Sequence, residues 1–169
     1  MIEGWWHEVV EPKRQEEAAT FFRQAYQQQM NGHLDAAILC YKKSLELVPS
    51  AEAYTFLGWT YSFLGRYDEA ISECRKAIAI DPDFGNPYND IGAYCVELGR
   101  LDEAIPWLEK AIRARRYENY CFPHYNLGRI WELRGQWVKA VEAYRRSLGA
   151  NADYLPALQA LHRVQALQN

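Results

Sequence analysis

Gly32, Gly65, Gly99 and Gly135 stand 33, 34 and 36 residues apart. Gly58, Gly92 and Gly128 precede the last three of them by seven residues each, and Ala37, Ala70, Ala104 and Ala140 each follow a loop glycine by five. The echo is closest between "LGRYDEA", Leu64–Ala70, and "LGRLDEA", Leu98–Ala104. Self-similarity at a fixed period marks an array of supersecondary units, each of which buries its apolar face on the next. A chain so phased has few other ways to fold.

Each period reads as two helices. Tyr54, Leu57, Gly58, Tyr61 and Leu64 recur at three- and four-residue steps and form one stripe of a helix. Gly65 ends it, because glycine accepts the left-handed conformation that follows a helix C-terminus. Asp68 and Glu69 open the next helix, where carboxylates meet the positive end of the backbone dipole. Ala70, Ile71, Cys74, Ala77 and Ile78 continue it until Asp81-Pro82. Gly58 and Ala70 are small because two helices crossing closely leave no room for more.

This pattern resembles the tetratricopeptide repeat, a helix-turn-helix unit of 34 residues. Tyr54, Leu57, Gly58, Tyr61, Gly65, Tyr67, Ala70, Ala77 and Pro82 match its positions, with Cys74 in place of an aromatic. The next repeat supplies Tyr88, Ile91, Gly92, Gly99, Ala104, Leu108 and Ala111, with Arg116 where the proline would be. His124, Leu127, Gly128, Trp131, Gly135, Trp137, Ala140 and Tyr144 carry another, and a degenerate one runs from Phe21 to Pro49. The resemblance implies an all-α fold, a right-handed α-solenoid (a superhelix) of antiparallel helix pairs.

The expected organisation is an N-terminal extension over 1–17 and repeats over 18–50, 51–84, 85–120 and 121–154, with a C-terminal capping helix over 155–169. The junction "RARRYENYC" lengthens the third repeat by two residues, which predicts an altered join to the fourth. Pro106 falls in the first turns of a helix and removes one donor there. Pro12 suits the first position of a long helix running to Met30. In "YLPALQALHRVQALQ", Leu155, Leu158, Leu161, Val164 and Leu167 read as one closing helix.

A net charge of −3 offers phosphate backbones no attraction, so no nucleic-acid partner is expected. No apolar run reaches the roughly 20 residues that span a bilayer, so membrane insertion is not expected, and with no leader visible a cytoplasmic location is. Cys40, Cys74, Cys95 and Cys121 share no metal-type spacing and read as reduced thiols; Cys121 and His124 form one pair without a second, so no metal or cofactor is expected. His7, His33, His124 and His162 lie apart, and no phosphate loop or nucleophile elbow appears. The chain reads as a non-catalytic protein.

Solenoids of the resembled family bind peptides or helices on a concave face lined by the first helix of each repeat. One step round from the core stripe lie Phe22, Tyr26 and Met30, then Thr55, Trp59 and Phe63, then Asn89, Ala93 and Glu97, then Tyr125, Arg129 and Leu133, with Asp90, Asn126 and Glu132 beside them. The expected partner-binding residues are Phe22, Tyr26, Met30, Thr55, Trp59, Phe63, Asn89, Ala93, Tyr125, Asn126 and Arg129. The first half is aromatic and the second polar, an anchor beside specificity contacts. The expectation is a scaffold or adaptor that holds a partner protein's apolar, aromatic-anchored peptide or helix. A basic clamp for chaperone tails is incomplete, since Phe22 and Tyr26 occupy its first positions. The alternative is a structural subunit that self-associates through its ends, with Trp5, Trp6, Val9 and Val10 as docking face of a homo-oligomer.

Overall fold

A glycine or proline stands in six of the eight loops between the helices. The computed structural model describes residues 4–167, with side chains from residue 11 onward. Among the described residues there are nine α-helices and no strand: α1 (Gly4–Met30), α2 (Leu34–Leu47), α3 (Ala51–Phe63), α4 (Tyr67–Ile80), α5 (Asn86–Glu97), α6 (Leu101–Arg113), α7 (Cys121–Leu133), α8 (Trp137–Ala150) and α9 (Leu155–Ala166). They divide into two bodies, residues 1–81 and 82–169.

The repeated "LGR" is a helix stop and a helix start in three residues. Gly65 has φ +70° and Gly99 φ +72°, values that disfavour any side chain. The Gly65 amide donates to the Ser62 carbonyl and the Arg66 amide to the Tyr61 carbonyl, so the last turn of α3 is closed by a Schellman motif. The Arg66 carbonyl then accepts from the Ala70 amide and begins α4. Gly99 and Arg100 repeat the geometry on Val96, Cys95 and Ala104. Arg66 pairs with Glu69 and lies 4.5 Å over the Tyr61 ring, which gives the motif's arginine and carboxylate a structural role.

In the first body α1 packs on α2 and α3 on α4. Tyr41 is fully buried and donates to Gln29 Oε1 at 2.8 Å, while Ser44 donates to the Ala18 carbonyl at 2.8 Å. Chain order thus runs opposite ways in α1 and α2, as an antiparallel pair requires. Gly58 lets α3 meet α4: a Cβ there would stand 2.9 Å from the Ala70 carbonyl oxygen. The helix α1 begins at Gly4, so Pro12 lies inside it and not at its first position. Proline tolerates helical φ, and only its missing N–H and its ring's clash with the preceding turn count against it.

In the second body the same joint is tighter. A Cβ on Gly128 would lie 2.4 Å from the Tyr144 ring, and one on Gly92 2.5 Å from Leu108. Tyr144 and Ser147 repeat the earlier contacts: Tyr144 donates to Glu132 at 2.6 Å and Ser147 to the Cys121 carbonyl at 2.7 Å. The two added residues of the third repeat are absorbed by a bridge between Phe84 and Arg116, where the Gly85 amide donates to the Arg116 carbonyl at 3.0 Å and the Arg116 amide to Asp83 at 2.9 Å. The Arg116 guanidinium sits 4.1 Å over the Phe84 ring. Pro106 is held inside α6. Helix α9 covers Ala140 and Tyr144 with Ala160, Leu161 and Val164, and leaves Leu155 and Leu167 exposed.

Gly128→Ala is expected to destabilise the fold by about 1–3 kcal/mol, because the fully buried Tyr144 ring cannot retreat without leaving its rotamer. Gly149→Ala, with nothing within 4 Å of the added carbon, is expected to be neutral or to stabilise α8 by up to about 1 kcal/mol. Urea unfolding of the two variants checks the contrast.

Candidate functional site

The first helices of consecutive repeats, α1 and α3, put their aromatic residues together in the first body. Phe22 and Tyr26 are one turn apart on α1; Phe56, Trp59 and Phe63 follow three- and four-residue steps on α3. Their rings form a continuous chain of contacts. Phe56 stands 5.3 Å from Phe22, 5.7 Å from Tyr26 and 5.8 Å from Trp59, each edge to face. Trp59 lies 5.2 Å from Phe63. Edge-to-face pairs use the positive ring edge against the negative face and contribute beyond area alone.

Burial grades along this row. Phe22 and Phe56 are half-buried, whereas Tyr26, Met30, Trp59 and Phe63 are 44, 49, 36 and 54 % exposed. Phe56 was absent from the expected site, although its spacing to Trp59 and Phe63 is a helical stripe. It is the ring on which Phe22, Tyr26 and Trp59 converge. Thr55 does not line an open face: it is buried and its hydroxyl donates to the Ala51 carbonyl at 2.8 Å. A short β-branched hydroxyl that bonds back to its own helix fits a packed position.

The corresponding helices of the second body, α5 and α7, carry polar groups instead. Asn89 and Asn126 are buried, and the Asn126 amide donates to Asn89 Oδ1 at 3.3 Å. Arg129 reaches Asn126 Oδ1 at 3.5 Å and pairs with Glu97 at 2.7 Å. Ala93 is half-buried on α5. Tyr125, also half-buried, packs on Tyr144 at 5.8 Å and on Tyr154 at 5.4 Å. Glu132 accepts from Tyr144 and from both sides of the Arg163 guanidinium, at 2.8 and 2.9 Å, which ties α9 to α7. Burial alone would raise the Glu132 pKa, but these donors outweigh it and hold the carboxyl below its usual range.

Asp90 is the exception. Loss of surrounding water pushes its pKa up to about 7, and a 3.3 Å hydrogen bond from the Asn89 amide offsets this only in part. Burial also raises the Tyr117 hydroxyl, with the Asp90 charge adding to it.

Among the described residues no group of three metal-type ligands is assembled, and no helix is long and apolar enough to cross a membrane. Cys74, Cys95 and Cys121 are buried, Cys40 is half-buried, and none of the four is in a disulfide. The side chains of Trp5, Trp6, Val9 and Val10 lie outside the described residues.

With paired helices, Schellman turns and small crossing residues in place, the comparison with known proteins is direct. Residues 51–84 and 86–117 match one tetratricopeptide-repeat family model, and residues 124–155 match a second. The chain belongs to the tetratricopeptide-repeat family and has its all-α helical solenoid fold. Small glutamine-rich tetratricopeptide repeat-containing protein 2 of Mycosarcoma maydis is 35 % identical over 78 residues, which cover 46 % of this chain and 22 % of that protein. The chain thus spans about a fifth of that relative's length. PilF of Pseudomonas aeruginosa superposes with a TM-score of 0.84 at 23 % identity, over 92 % of this chain and 71 % of that one. YrrB, described as a tetratricopeptide protein with an unusual peptide-binding site, gives 0.67 at 23 % identity, over 98 % and 84 %. The family fold supports a role in protein–protein interaction.

Asp90 makes stability depend on pH. An acid whose folded pKa is raised binds its proton more tightly folded than unfolded, so stability falls as pH climbs from about 4 to about 7 and stays lowered above. Asp90→Asn is expected to raise Tm near pH 8, by roughly 2–4 °C for each kcal/mol recovered, and to leave Tm near pH 4 unchanged. Thermal melts of both proteins across that range check this.

Proposed function

We propose that the chain is a non-catalytic adaptor that holds an amphipathic peptide or helix of a partner protein on the aromatic face of its first body. Tyr26, Met30, Trp59 and Phe63 are the anchors; Phe22 and Phe56 support them from beneath. The observation that carries this reading is the exposed row itself: three aromatic rings and a methionine left open. Tyr, Trp and Met are enriched in protein interfaces, where a few large apolar side chains supply most of the affinity. Rings at three- and four-residue steps on one helix match the spacing by which an amphipathic helix presents its own apolar face. The peptide-binding site named for YrrB is consistent with the same use of the fold.

On the second body, Ala93, Tyr125 and Arg129 are half-buried and Arg129 is the polar contact suited to specificity, with the buried Asn89 and Asn126 holding it from beneath. Asn126 keeps an oxygen directed at Arg129, and Arg129 is already paired with Glu97. A partner carboxylate must therefore compete with Glu97 for the guanidinium. That costs affinity and favours selectivity.

The test begins with capture from native extract, identification of the bound protein, and synthesis of its apolar-aromatic segment as a labelled peptide. Trp59→Ala is expected to weaken peptide binding at least about fivefold, or roughly 1 kcal/mol, with the circular dichroism of the fold intact. Phe56→Ala should weaken binding and lower Tm together. Equal affinity of wild type and Trp59→Ala for every captured segment sinks the assignment.

A further inference from the structure

Each body has a cavity beside the second helix of a repeat, and the repeat itself makes the two comparable. Gly58 and Gly128, Gly65 and Gly135, and Ala70 and Ala140 all stand 70 residues apart. In the first body the cavity is about 250 Å³ and is bordered by Lys42, Glu46, Tyr54, Glu73 and Lys76. Its charges cancel: two lysines meet two glutamates, and Lys76 pairs with Glu73 at 2.8 Å.

The equivalent cavity of the second body is about 210 Å³. His124 and Trp131 border it from α7, and Lys139, Glu142, Ala143 and Arg146 from one face of α8. Here the charges do not cancel. Ala143 stands where the first body has Glu73, Lys139 where it has Glu69, and His124 where it has Tyr54. One carboxylate borders the cavity, Glu142, and Arg146 holds it at 2.5 Å through Nη2, with Nη1 and Nε left as donors. The Lys139 ammonium lies 4.7 Å over the Trp131 ring and is in no ion pair among the described residues. A ring quadrupole offsets such a charge only in part. With His124 neutral the lining carries one positive charge in excess, and with His124 protonated it carries two. Burial, and then the charge of Arg146, hold the His124 pKa below its usual value. An anion in the cavity opposes the second effect and favours the imidazolium, whose two ring nitrogens both donate.

We propose that this cavity binds a phosphate monoester, with Lys139, Arg146 and His124 donating to its oxygens and the Trp131 ring as the wall beside its ester carbon. Three observations select this chemistry. Donors on three separate side chains suit three terminal oxygens better than the two of a carboxylate. A phosphate monoester carries about −1.5 to −2 charge near neutral pH, which matches the excess on the lining. Pockets that enclose a whole small molecule run from about 300 Å³ upward, so this smaller one takes a single group. The same group is offered by a phosphorylated side chain and by a small phosphorylated compound.

The cavity is built from the second body alone, so its test does not involve the Trp59 face. The full chain, labelled with 15N, is titrated at constant ionic strength with inorganic phosphate, with acetyl-phosphoserine methylamide, and with acetate. Saturable shifts of the Trp131 indole and His124 imidazole signals are expected with both phosphate compounds, with a dissociation constant of about 1 mM or tighter. Acetate should bind at least about tenfold more weakly. Tighter binding of the phosphoserine derivative than of inorganic phosphate assigns a phosphorylated side chain; equal or weaker binding assigns a small phosphate compound. Ala143→Glu places a carboxylate three residues before Arg146, as Glu73 stands before Lys76, and Lys139→Glu reverses the ammonium's charge. Each should weaken phosphate binding at least about tenfold. Ala143 is buried, so if its variant lowers Tm, Lys139→Glu decides alone; Lys139 is exposed and its variant keeps the wild-type Tm. Shifts that never saturate, acetate binding as tight as phosphate, or unchanged affinity in Lys139→Glu overturns the proposal.

Discussion

Everything in this chain depends on how closely the two helices of a repeat can cross. The limit is a single carbon. At Gly58 the neighbour is the Ala70 carbonyl oxygen, at Gly92 the Leu108 side chain, and at Gly128 the Tyr144 ring. Where the first helix gives up its side chain, the second inserts one, and that insert changes from Cys74 to Leu108 to Tyr144 as the joint tightens. In the first repeat the equivalent positions are Ala25 and Tyr41, both fully buried. Close packing at this density leaves no slack, so the size of one partner dictates the other. The tyrosines bring a second constraint, because a buried hydroxyl needs an acceptor. Gln29 and Glu132, each twelve residues earlier, supply it.

Once the crossing is fixed, the remaining faces of the first helices are free to differ. In the first body that freedom is used for ring edges, with Phe56 as the support that Phe22, Tyr26 and Trp59 share. In the second it is used for amides and charges that satisfy one another. Asn89 with Asn126 and Arg129 with Glu97 leave little polar capacity idle. Asp90 is different: it keeps a carboxylate in a place where water is scarce, and one amide does not compensate it.

The scaffold was legible in the sequence because it is periodic. Gly65 and Gly99 announced left-handed turns, Gly58 and Ala70 announced a close crossing, and both readings rest on sterics that hold in any context. The face was harder. Steps of four from Phe22 and Thr55 miss Phe56, while the observed row on α3 runs Phe56, Trp59, Phe63. The same steps put Thr55 outward, whereas it is buried and its hydroxyl donates back along its own helix to the Ala51 carbonyl. An error of one residue on a helix is about 100°, enough to exchange core for surface. Proline favours the first turn of a helix, but a helix can also carry it inside, as α1 carries Pro12. The Phe84–Arg116 bridge left no sequence signal beyond the two extra residues, since backbone pairing between loops does not depend on side-chain type.

A repeat array has the difficulty that each end exposes a face built to be covered. At the C-terminal end the solution is within the chain: α9 lays Ala160, Leu161 and Val164 over Tyr144, and the Arg163 pair with Glu132 fixes its orientation. At the other end α2 stops near Ala18 while α1 continues, and an apolar cavity remains open beside Ala19. The two ends carry different chemistry for that reason. A closed end stabilises one chain at any concentration, whereas an open one is stabilised only by what binds it, so its contribution grows with the concentration of the occupant.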